Sequence, residues 1–74
     1  MISINDAVDK IEKIAEEKAI KVCDYKSKYY LVLVKGGSPF YIVDKNNGNT
    51  RFLNPLEDIS VLADSIENRV LKEL

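Results

Sequence analysis

Histidine is absent from the 74 residues. Its absence removes the commonest general base and metal ligand, and with it Ser-His-Asp and Cys-His nucleophile systems. A single cysteine, Cys23, allows no intramolecular disulfide. Secreted domains of this length usually carry several bridged cysteines, so a cytoplasmic location is expected. No apolar run approaches the ~20 residues of a membrane span. The longest, from Tyr29 to Val34, is strand-sized. Met1 to Lys18 is amphipathic and acidic, without the apolar stretch of a signal peptide. The formal net charge of -1 lacks the basic excess with which nucleic-acid domains neutralise phosphates.

What remains is enough for one domain spanning residues 1–74, with a core of modest stability. Ser3 suits a helix N-cap, with Asp6 three residues on and Asp9 supporting the dipole. Ala7, Val8, Ile11, Ile14 and Ala15 recur at helical spacing, which predicts a helix from about Ile4 to Lys18. The period then changes to two, predicting strands at Ile20–Tyr25, Tyr29–Val34, Phe40–Asp44 and Thr50–Leu53. Asn54, Pro55 and Glu57 fit the N-cap, N1 and N3 of a last helix, with Leu62, Ala63, Ile66, Val70 and Leu74 as its stripe. Lys72 would sit near its C-terminus. The expected fold is α+β, in the order α-β-β-β-β-α, an antiparallel meander with two helices packed on one face.

The turns set registers, and the registers sort side chains between faces. Gly36–Gly37 reads as a two-residue hairpin turn, pairing Leu31 with Ile42, Val32 with Tyr41 and Tyr30 with Val43. A glycine bulge at Gly48 pairs Phe52 with Ile42 and Arg51 with Val43. A Lys26–Ser27 turn, poor in turn chemistry, pairs Val22 with Leu31 and Ile20 with Leu33. One face then carries Ile20, Val22, Leu31, Leu33, Phe40, Ile42 and Phe52, and is expected to receive the helices. The other carries Lys21, Cys23, Tyr30, Val32, Val34, Tyr41, Val43, Arg51 and Leu53. Its mixture of tyrosine, valine and arginine resembles the make-up of protein interfaces, although strand propensity alone also favours valine and tyrosine. Tyr30, Val32, Tyr41, Val43 and Arg51 are therefore the candidate partner-binding residues.

Catalytic and metal constellations are not built by this sequence, so no cofactor, no metal and no enzyme activity is expected. Glu16 and Glu17 are adjacent and diverge on a helix. Asp44 to Gly48 departs from a calcium loop, since its glycine falls at position five and Pro55 at position twelve. Gly36–Gly37 lacks the GK[ST] of a phosphate loop. The helix–sheet–helix order is shared with double-stranded RNA-binding domains, but the segment Asn54 to Asp58 is acidic where those domains place lysines. Lys21, Lys26, Lys28 and Lys35 with Tyr25 and Tyr29 form the one basic–aromatic group, for which solvated edge and turn residues are the plainer account.

Two segments carry a family resemblance. Ile2-Ser3-Ile4-Asn5-Asp6-Ala7-Val8 opens a helix, and Ser38-Pro39-Phe40-Tyr41-Ile42-Val43-Asp44-Lys45-Asn46-Asn47-Gly48 forms a strand-turn-strand. Together they resemble small bacterial immunity proteins with a YrhB-like fold, in which Asn47 is replaced by threonine. PepSY-type domains, usually extracytoplasmic, have a similar hairpin and helix start. The resemblance implies a non-enzymatic protein that neutralises a partner by binding it. Three functions stay open: an immunity or inhibitor protein occluding a partner protein, a homodimeric structural or phage-related protein, and a nucleic-acid-binding domain.

Overall fold

In the computed structural model, which describes residues 1–36, 40–53 and 69–74, the chain begins with helix α1 at Ile4–Ala15. The Ser3 hydroxyl caps it, accepting the Asp6 amide at 3.1 Å. Ala7, Val8 and Ile11 supply the buried stripe, whereas Ile14 is 52% exposed. The helix stops three residues short of the expected Lys18. Glu16 turns left-handed at φ 56° and donates its amide to the Glu12 carbonyl. Glu12 then holds the start of the next element, its carboxylate accepting the Ala19 amide at 2.8 Å.

Five strands follow: β1 Ala19–Tyr25, β2 Tyr29–Val34, β3 Tyr41–Asp44, β4 Thr50–Phe52 and β5 Val70–Glu73. They form one antiparallel sheet in the order β4-β3-β2-β1-β5. The first four make the expected meander. β5 corrects the sequence reading, because Val70 and Lys72 belong to a strand beside β1 and not to a helix. Four residues are too short for periodicity to separate the two. The Lys72 ammonium donates to the Asn5 side chain at 2.8 Å, tying the last strand to the first helix. Leu74, also placed in that helix, follows β5 and donates its amide to the Ile20 carbonyl, whereas residues 54–68, with Leu62, Ala63 and Ile66, lie outside the described residues.

Between β2 and β3 the pairing is as the glycine turn requires: Tyr30 with Val43, Leu31 with Ile42, Val32 with Tyr41. Gly36 takes φ 105°, a conformation that disfavours any side chain. The outer registers differ from expectation by one residue each. The β1–β2 loop holds three residues, Lys26 to Lys28, so Val22 faces Val32 and Cys23 faces Leu31. A bulge between Ala19 and Lys21 leaves Ile20 exposed instead of buried. The β3–β4 loop is shorter than the glycine-bulge reading allows. The Asp44 carboxylate accepts the Asn46 and Asn47 amides, and the Asp44 amide donates to the Asn49 carbonyl. Tyr41 therefore pairs with Phe52 and Ile42 with Arg51.

These shifts decide which face is core. Helix α1 packs on the face made by Ala19, Val22, Tyr30, Val32, Val34, Tyr41 and Val43, joining them in one cluster through Ala7, Val8 and Ile11. That is the face expected to be open. The opposite face holds a second cluster of Cys23, Leu31, Ile42 and Leu53, with Tyr25, Tyr29, Leu33 and Phe40 against it. Burial pushes the Cys23 thiol above its usual range, which keeps it protonated and unreactive as a nucleophile.

The chain start is lashed to the β3–β4 loop. The Ile2 amide donates to the Lys45 carbonyl at 2.8 Å, and the Tyr30 hydroxyl donates to the Ile2 carbonyl at 2.9 Å. Gly48 is buried beneath this lashing at φ 76°, where an added Cβ would stand 3.3 Å from Lys10 Cε and 3.6 Å from Ile2 Cγ2. The lysine tip can move aside, so backbone strain dominates. Gly48→Ala is expected to cost about 1–2 kcal/mol. At roughly 4–8 °C per kcal/mol for a domain this small, a thermal melt should resolve it.

Candidate interaction surface

The five residues singled out in the sequence do not form one surface. Tyr30, Val32, Tyr41 and Val43 are buried in the α1-covered cluster. At 7% exposure or less, they offer a partner no open surface in this structure. Arg51 is exposed, and its pairing with Ile42 puts it on the opposite face, because directly paired residues point the same way. The physical cause is the one-residue shift of β4, which exchanges Arg51 and Phe52 between faces.

That exchange brings out a residue assigned to the core by the sequence. Phe52 is 58% exposed on β4, the outer strand of the sheet among the described residues. Its ring is held edge-on against Tyr41, with centroids 5.6 Å apart and planes at 83°, so the exposed aromatic has a fixed orientation. Hydrogen bonding in the β3–β4 ladder alternates. The Leu53 amide donates to the Phe40 carbonyl and the Asp44 amide to the Asn49 carbonyl. The intervening bonded pair is Ile42 with Arg51, so the backbone groups of Thr50 and Phe52 point away from β3. A ring and a strand edge are thus presented side by side.

Between this edge and the β1–β2 hairpin lies a shallow depression of about 120 Å³, lined by Tyr29, Ile42, Asp44, Asn49, Thr50 and Arg51. The hairpin tip sets Tyr25 and Tyr29 together with centroids 6.2 Å apart, and Lys26 Nζ stands 5.2 Å from the centre of the Tyr25 ring. Lys26, Ser27 and Lys28 are all exposed. The structure therefore gathers only part of the basic–aromatic group. Lys21 lies mid-strand, and Lys35 lies at the far end of β2, where its amide donates to the Lys18 carbonyl.

Acidic groups near the hairpin ends are already engaged. Lys45 pairs with Asp24 in a half-buried ion pair and stands 5.3 Å from the centre of the Tyr30 ring. Asp44 is occupied by loop amides. A second hollow of about 260 Å³ is lined by Glu12, Glu16, Glu17 and Lys18, where Glu12 has the structural task at Ala19 described above. Among the described residues no group of three or more histidine, cysteine, aspartate or glutamate side chains is arranged to hold a metal ion. No described helix is long and apolar enough to cross a membrane. Compared with known proteins, the chain matches no family model, no curated protein and no solved structure.

Proposed function

We propose that this chain is a small protein-binding module, of the immunity or inhibitor kind, that engages a partner protein along its β4 edge with Phe52 as the anchor. The observation that supports this most is the Phe52 ring, exposed to solvent yet oriented by Tyr41. Aromatic and arginine side chains carry a large share of binding energy at interfaces, and the neighbouring Arg51 is exposed as well. The outward backbone groups of Thr50 and Phe52 add the means to pair with an extended segment. Occlusion by binding, as the resemblance to immunity proteins implies, requires no catalytic group. A reduced, buried cysteine accords with action in the cytoplasm.

Phe52→Asp separates the roles of this residue. Its exposed position should keep the fold, with a loss of about 1 kcal/mol from the Tyr41 contact. A protein captured from cell extract by the native chain and lost with Phe52→Asp is the expected result. Capture unchanged by the substitution would remove the β4 edge from the function. Light scattering after size exclusion tests the homodimeric alternative. A dimer that Phe52→Asp converts to monomer assigns the same edge to a second copy of the chain.

A further inference from the structure

We infer that the tip of the β1–β2 hairpin is a docking point for an acidic segment of the partner protein. This inference rests on the protein-binding reading and adds the chemistry of the partner. The tip bends at Lys26 and Ser27, with φ of 52° and 60°. The Lys28 amide closes the turn on the Tyr25 carbonyl at 3.3 Å. Both bend residues lie in the left-handed region, which Asn-Gly occupies with least strain. Lysine and serine there sacrifice turn stability, and strained backbone of this kind concentrates where a protein works.

Charge at the tip points the same way. Lys26 and Lys28 are exposed, and among the described residues neither has a carboxylate within ion-pair distance. The carboxylates of Asp24 and Asp44, on the strands that flank β2, are committed elsewhere, Asp24 to Lys45 and Asp44 to its loop amides. Two cations are left on the turn that joins Tyr25 to Tyr29, with Lys26 over the Tyr25 ring, an arrangement that fits carboxylates on a peptide with apolar flanks.

A nucleic acid is the poorer fit. Base stacking needs open ring faces. Here Lys26 stands over Tyr25, and the two half-buried rings are tilted 45° to one another.

The test uses a glutamate-rich peptide as probe, a short oligothymidine as comparison, and amide chemical shifts of the full chain as readout at low ionic strength. The peptide is expected to shift amides at Tyr25 to Tyr29, and Lys26→Glu with Lys28→Glu should weaken it roughly tenfold or more. A second variant, Lys26→Asn with Ser27→Gly, keeps the turn and is expected to raise the melting temperature while weakening the peptide. The inference is overturned by peptide shifts elsewhere or nowhere, or by affinity indifferent to both variants. It is also overturned if oligothymidine binds the tip more tightly than the peptide does. Because Phe52 is untouched in these variants, loss of the tip's role leaves the β4-edge reading to be judged by Phe52→Asp alone.

Discussion

Tyr41→Asp should unfold this protein. Tyr41 is buried in the cluster that α1 covers, paired with Phe52 across β4 and with Val32 across β2. An aspartate there loses the ring's apolar burial and its edge-on contact with Phe52. It also places a carboxylate among valines. Burying an unpaired charge costs several kcal/mol. A domain of 74 residues has a total stability of roughly 4–11 kcal/mol, so little or nothing remains. Circular dichroism and amide dispersion will show the loss, and Tyr41→Phe should remain folded as the control. A native-like Tyr41→Asp would mean that α1 leaves this face open. The set Tyr30, Val32, Tyr41 and Val43 would then regain its claim as a binding surface.

Ile11→Ala carries the second-largest expected effect. Ile11 is fully buried in the core cluster, on the helix that packs against β1 and β2. Truncating it removes apolar burial and leaves a cavity, at a cost of about 2–5 kcal/mol. With a denaturant slope near 1 kcal/mol per molar urea for so short a chain, the midpoint should fall by roughly 2 M or more. Ile14, one turn along the same sequence stripe, is half exposed. Ile14→Ala should move the midpoint little. Equal effects at the two positions would contradict the placement of α1 on the sheet.

The part of this fold legible in the sequence was the part governed by unambiguous local chemistry. Ser3 announced the helix start, and reading two consecutive glycines as a turn gave the β2–β3 register found at Tyr30, Leu31 and Val32. The β1 and β4 registers failed by one residue because their loops are closed by ordinary residues. Lys26 to Lys28 close the first with two strained backbone angles, and Asp44 closes the second through its carboxylate. Neither leaves a glycine signal that counts the loop length. The choice of face for α1 was hidden for a different reason. β2 is apolar on both sides, with Tyr30, Val32 and Val34 on one and Leu31 and Leu33 on the other, so alternation carried no sign. Of the candidate site, Arg51 is exposed, on the opposite face from the other four residues. Phe52 was missed because the shift sets it on the side of the sheet that carries α1, but on the outermost strand, whereas α1 packs against β1 and β2.

The position of β5 bears on the order in which the sheet can be completed. The meander β1 to β4 and the helix before it join neighbours in sequence, so they can assemble during synthesis. β1 acquires its outer partner only when Val70 to Glu73 have been made, some fifty residues after β1 itself. Closing so long a loop is entropically slow, and slow closure accompanies high contact order. Until it happens, the nascent chain displays β1 as an open edge beside its apolar Val22 and Cys23. The pairing of β5 with β1 ends the period in which this edge can join a neighbour by mistake.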